Sequence, residues 1–181
     1  LLDARHEAIN SKMPPAWKKL ETAGKGMYQV MLLASRLGAL TLLGKLAGEK
    51  AAPSIVMKLP PEIRPMYLEV GFQPKYFQSN LDELAASGES DRQLSTTGSL
   101  GNIPLTVIRH GIPDLFASMP VEQAEQAETV WQELQKDLAK QSSNSQMLVA
   151  EKSGHGIQID QPGLVVEAIR QMVETIRGVS T

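Results

Sequence analysis

The sequence predicts an α/β protein in which a partial sheet of parallel strands, joined by crossover helices, is accompanied by an all-helical insertion. Three observations lead there. Two short apolar runs, at residues 103–108 and 147–150, are each followed by an amphipathic stretch of helical rhythm. The interval between them has the length of a crossover, the connection that joins parallel strands. Residues 14–94 read instead as helices and turns throughout, punctuated by proline and glycine.

Within that insertion, Gly24 and Gly26 are expected to separate a first helix over residues 16–23 from a longer second one. In the second, Met27, Val30, Met31, Ala34, Leu37, Leu40, Leu43 and Leu46 keep a helical spacing. Leu32, Leu33 and Leu42 widen its apolar face, yet Arg36 and Lys45 keep the uninterrupted run below the roughly 20 residues a bilayer span needs. Such a helix is either buried on most sides or lines an apolar pocket. From residue 51 to 101, Pro53, Pro60, Pro61, Pro65 and Pro74 leave room for short helices at 62–71 and 75–86. The small polar stretches 87–91 and 95–101 read as loops. Trp17, Tyr28, Tyr67, Phe72, Tyr76 and Phe77 are expected in the core rather than around a substrate.

The second half has a plainer pattern. Ile103, Leu105, Val107 and Ile108 form a strand that tolerates Pro104 near its start. Residues 120–140 place Val121, Ala124, Ala127, Val130, Trp131, Leu134 and Leu138 on one helical stripe, with Glu and Gln opposite. The run Met147, Leu148, Val149, Ala150 is a buried strand, and Pro162 opens a last helix carrying Leu164, Val165, Ala168, Ile169, Met172, Val173 and Ile176. Both loops that leave the strands' carboxyl ends open on one sheet edge, where open α/β sheets place ligands.

Composition narrows the functional classes. At 181 residues, 42% hydrophobic and 21% charged, the chain can bury a full core. A net charge of -2 and a pI near 6.0 leave no basic footprint for nucleic acid. With no cysteine there is no disulfide, thiol nucleophile or thiolate metal site, which fits a reducing, cytoplasmic setting. Neither a metal-ligand spacing nor a glycine-rich phosphate loop occurs, so no metal and no cofactor are expected.

Chemistry is concentrated in residues 150–162, AEKSGHGIQIDQP. A histidine on a glycine-flanked loop just past a strand is held by a rigid scaffold with little bulk around it, as a proton-moving imidazole requires; the ordinary alternative is a surface-loop histidine. Ser153-Gly154-His155 followed by Ile157, Asp160, Pro162 and Val165 resembles the catalytic-histidine loop and last helix of the α/β-hydrolase fold, S-G-H-x-I-x-x-D-x-P-x-x-V. Residues 107–114, with Gly111 and Asp114, resemble that family's seventh strand and its G-x-x-D acid loop, and the resemblance is dense from residue 103 to 178.

The resemblance implies a partial α/β-hydrolase sheet with a helical cap: residues 1–13 the end of the sixth strand and entry to the cap, 14–94 the cap that sets substrate choice, and 95–181 the C-terminal core. It implies His155 as general base and then acid, and Asp114 as the carboxylate that holds its tautomer. Asp3 is the alternative acid, at a position some members use. Asp160 is expected to help start the last helix. His110 is expected to lie at the surface or line the site, and His6 to have no chemical role.

A nucleophile elbow, G-x-S-x-G, is absent; Gly98-Ser99-Leu100-Gly101 has the wrong order. Since the sequence opens on Leu1-Leu2-Asp3 without methionine or targeting segment, the expectation is the C-terminal part of a longer hydrolase, whose nucleophile and any targeting signal lie upstream. The expected function is hydrolysis of an ester in a small, fairly apolar substrate, with the missing N-terminal part as the necessary partner and an oligomer compatible. The alternatives are an aspartate nucleophile acting on epoxides or haloalkanes, and a non-catalytic binding protein of the same fold.

Overall fold

A computed structural model describes residues 1–178 of the chain. It forms two compact units, one made of Leu1–Lys18 with the chain from Ser90 onward, the other of Lys19–Glu89. The sequence pattern had placed the helical segment at 14–94.

The first unit is built on two parallel strands, β1 (Leu105–His110) and β2 (Ser145–Ala150), in register from Leu105 opposite Ser145 to His110 opposite Ala150. On the other side of β1 the chain start runs parallel to it. Leu2 bridges Ile108, the Ile108 amide donates to the Leu1 carbonyl at 2.8 Å, and the Asp3 amide donates to the Ile108 carbonyl at 2.7 Å. β1 is thus flanked on both edges. Thr106, Val107 and Ile108 are buried in succession, which on a pleated strand demands cover on both faces.

That cover comes from helices on either side of β2 in sequence. Helix α1 (Ile9–Lys12) follows the chain start, α2 (Pro15–Arg36) begins in this unit, and α3 (Ala39–Ala47), α4 (Ser54–Met57) and α5 (Arg64–Gly71) belong to the second unit. Helix α6 (Pro74–Ser95) returns to the first unit, and α7 (Val121–Ala139) bridges the two strands in sequence. After β2 come a single turn, α8 (Ile157–Asp160), and α9 (Pro162–Arg177). α7 packs against β1 and β2 and buries Ala127, Trp131, Leu134, Gln135 and Leu138. On α9, Leu164, Val165 and Ala168 pack with Ile108, Leu148, Ala150 and Ile157.

The carboxyl ends of the strands are sutured together. Gly111 donates its amide to the carbonyls of Ala150 and Ser153 at 3.0 and 3.1 Å, and Ile112 donates to Ser153 at 3.0 Å. A methyl group on Gly111 would stand 2.6 Å from the Glu151 α-carbon, so only glycine lets the two backbones meet here.

Two local expectations are corrected. Gly24 and Gly26 do not break α2; a mid-helix glycine costs about 1 kcal/mol, and the 22-residue helix runs through both with open space around them. The break falls at Gly38 instead, where φ of +77° ends one helix and α3 departs at 82°. Residues 87–91 are not a loop but part of α6, and the reason is tertiary: Asp91, buried, accepts from Arg5 at 3.0 and 2.8 Å and from Asn10 at 3.3 Å. A helix there holds the carboxylate in place.

The second unit has a core of Leu32, Leu40 and Phe77, with Tyr28, Met31, Ala34, Phe72, Tyr76 and Leu81 around it. The aromatic residues expected in the core are there except for Tyr67, which is exposed, and Trp17, which belongs to the first unit. α3 and α5 border a cavity of about 560 Å³ whose lining includes Thr41, Gly44, Leu68 and Phe72. No single helix among the described residues is long and apolar enough to cross a membrane.

Candidate active site

The end of the Leu1–Asp3 segment, the end of β1, the middle of α7 and the loop after β2 converge on one carboxylate, that of Asp3. It is fully buried, whereas the His155 side chain it meets is 51% exposed. Asp3 Oδ2 lies 2.7 Å from His155 Nδ1 and 2.6 Å from His110 Nδ1. Oδ1 accepts the indole N–H of Trp131 at 2.8 Å and the backbone N–H of His110 at 3.3 Å. Asp3 adopts a left-handed backbone, φ +42°, a conformation costly for most residues and tolerated best by Asn and Asp. That turn at the end of the segment aims the carboxylate inward.

An ionised carboxylate only accepts hydrogen bonds, so both histidines offer it an N–H. For His155 this fixes the Nδ1–H tautomer and leaves Nε2 as the lone-pair nitrogen; among the described residues Nε2 has no partner. His110 is different. Its Nε2 lies 2.9 Å from Glu128 Oε2, and Glu128 is itself steadied by Gln132 at 2.7 Å. With a carboxylate at each nitrogen, His110 carries both protons.

Burial alone would disfavour charge on these groups, but the hydrogen bonds outweigh it. His110 is pushed up to about 9 although its burial acts the other way, because Asp3 and Glu128 both hold its protons. Burial would raise Asp3, yet donation from His110, His155 and Trp131 holds it well below the usual carboxylate range. Glu128 is lowered against its burial by His110 and Gln132.

These shifts set a pH dependence of stability. His110 has an ordinary value of 6.5, so the stability it contributes is complete below pH 6.5 and is lost as pH rises through about 9. The contribution of Asp3 is present above its ordinary 3.8 and lost only in stronger acid. Chemical denaturation at about pH 6 and at about pH 9.5 is expected to show a loss on the order of 2 kcal/mol at the higher pH, removed in His110→Gln. An unchanged free energy would mean that the His110 proton is not held by the fold.

The predicted acids fall into place unequally. Asp114, favoured in sequence as the partner of the His155 ring, accepts the His155 backbone N–H at 3.2 Å, while the ring turns to Asp3. Asp114 also fills the space a side chain on Gly154 would need, its Oδ2 lying 2.0 Å from that ideal Cβ position. Asp160, expected to serve the last helix, accepts from Gly154 N at 3.1 Å and Ser153 Oγ at 3.4 Å, so its Oδ2 braces the histidine loop. The N-cap of α9 is Gln161, which makes no side-chain cap bond. The Ser153 hydroxyl is buried and donates to the Gly154 carbonyl.

Glu128 carries no signal in the sequence, and His110 was expected at the surface or lining the site. His110 is 2% exposed, not a surface residue. Its one signal was its place as last residue of an apolar strand, directly before Gly111. His6 is buried too, and its Nδ1 accepts the Ala8 amide at 3.0 Å, a turn role.

Around Asp3 and His155 lies an open depression of about 390 Å³, with Leu2, Ile9, Trp17, Leu115 and Trp131 on its walls. An aromatic row underlies it: Trp17 on Phe116, Phe116 on Trp131, and Trp131 edge-on to the His155 ring, with centroids 6.0–6.1 Å apart. Among the described residues no cluster of His, Asp and Glu could hold a metal ion. No protein-family model, curated protein or solved structure matches the chain.

Proposed function

We propose that the chain supplies the base and acid of a hydrolase of the α/β-hydrolase type, with His155 as general base and Asp3, rather than Asp114, as the carboxylate that orients it. The observation that carries this reading is the 2.7 Å contact between a fully buried Asp3 and the Nδ1 of a half-exposed His155. A base of this kind must have one nitrogen tied down and the other open to substrate. The helical unit then corresponds to the family's cap insertion, and the nucleophile is a serine outside these 181 residues.

In the reaction, Nε2 of His155 takes the proton from the serine hydroxyl as the oxygen attacks the ester carbonyl carbon. The imidazolium that forms is stabilised by Asp3 and returns that proton to the leaving alkoxide as the acyl–oxygen bond breaks. Water then attacks the acyl-enzyme by the same route. Apolar walls of Trp17, Leu2, Ile9 and Leu115 favour a small, fairly apolar ester through dispersion contacts, while Arg5, which also lines the depression, is engaged by Asp91.

A fluorophosphonate probe tests the nucleophile in the full-length protein. Serine attack on phosphorus expels fluoride, and the label is expected on a serine outside residues 1–181, with loss of labelling in His155→Ala. Turnover of an epoxide or haloalkane without labelling would replace serine by aspartate. Absence of both labelling and turnover would leave a binding protein.

A further inference from the structure

Asp3 serves two histidines through one oxygen, and they differ in kind. His155 has one nitrogen tied and the other open. His110 is enclosed, with both nitrogens facing carboxylates, and it grips Asp3 at both oxygens: ring Nδ1 on Oδ2 and backbone N–H on Oδ1. We propose that His110 is a positioning residue for His155, an imidazolium clamped by Asp3 and Glu128 that fixes the shared carboxylate and so holds the exposed imidazole in its Nδ1–H tautomer. The inference rests on the proposed base-and-acid role of His155 and Asp3 and adds the residue that tunes it.

The charges around His110 are Asp3 from the chain start, Glu128 from α7, and Arg109 from its own strand, whose Nη1 donates to the His110 carbonyl at 3.0 Å. Two carboxylates and one shared proton would leave an acceptor facing an acceptor; two protons satisfy both ends. The upward displacement of His110 agrees with that arrangement. The consequence for His155 follows from that geometry. A cation bound at the same oxygen that the His155 ring meets, and through its backbone N–H at the other, keeps Oδ2 in place to steady the imidazolium formed during reaction. Gln132, one turn from Glu128 on α7, keeps the outer carboxylate directed at His110.

Histidine ring ¹⁵N spectra of the full-length protein, titrated from about pH 5 to about pH 10, read this without reference to turnover. In the unaltered protein His155 is expected as the Nδ1–H tautomer, and its ring nitrogen shifts should move again as His110 loses its proton near pH 9. His110→Gln should abolish that movement and loosen the tautomer preference of His155. Glu128→Gln should carry the His110 midpoint and the accompanying movement of the His155 shifts to lower pH together, a test that holds even where His110→Gln does not fold. Asp3→Asn should erase the tautomer preference of His155.

The outcomes separate the two claims. If Asp3→Asn alters His155 but neither His110→Gln nor Glu128→Gln does, and no accompanying movement occurs, His110 is only structural and the base-and-acid reading stands. If Asp3→Asn leaves the His155 tautomer untouched, the pair itself is wrong and both claims fall.

Discussion

Asp3→Asn in the full-length protein is expected to lower kcat for a p-nitrophenyl ester by about 10⁴-fold, the scale set when a triad acid is replaced by its amide. The geometry explains why so small a change is so costly. Asp3 accepts from four donors, two at each oxygen. Asparagine keeps one oxygen and presents an NH₂ to donors that cannot accept, so whichever way it turns, two N–H groups face another donor. If the amide nitrogen stands at the Oδ2 site, His155 must flip to its Nε2–H tautomer, and the lone pair then points into the protein. Stability should fall as well, by about 3 kcal/mol, because the buried His110 cation loses one of its two counter-charges. Asp114→Asn should be far milder, since its remaining oxygen can still accept the His155 backbone N–H. A larger loss of kcat for Asp114→Asn than for Asp3→Asn would return the acid role to Asp114.

His155→Ala is expected to cost kcat about 10⁵-fold or more, the scale of losing a triad histidine, while the thermal midpoint stays within about 2 °C. The contrast with Asp3 is its diagnostic value. His155 is half exposed, and its removal deletes one of the four donors to a carboxylate that three others still hold. Ester turnover and a thermal melt on the same preparation separate the two effects. Retained turnover would take His155 out of the mechanism, and a collapsed melt would make it a structural residue.

How much of this was legible in the sequence depended on the range of the interaction. β1, α7 and α9 were readable because each carries its own periodicity, and the proline opening α9 marks its start; β2 was readable as a strand from its apolar run but not as a buried one, since Met147 is exposed and only Ala150 is buried. His155 was readable because its neighbours in sequence are also its loop. Asp3 could be named only as an alternative: its partners His110, Trp131 and His155 lie far along the chain, and local spacing gives no means of ranking it above Asp114. The burial of His110 was illegible for the same reason, since its two carboxylates come from the chain start and from α7. The continuity of α6 through residues 87–91 was hidden because Arg5 and Asn10, which hold Asp91, belong to another segment altogether. In each case the deciding contact was non-local and electrostatic.

The left-handed backbone at Asp3 narrows which replacements this position can tolerate during evolution. Glycine and asparagine accept that conformation readily and are each reachable from an aspartate codon by one nucleotide change, so drift toward them meets little backbone resistance. Neither carries a negative charge. Glutamate keeps the charge but tolerates the backbone less well and moves the carboxylate outward by a methylene. A lineage free to lose the pair would therefore be expected to change the half-exposed His155 first and to keep Asp3, which the His110 and Trp131 donors still require.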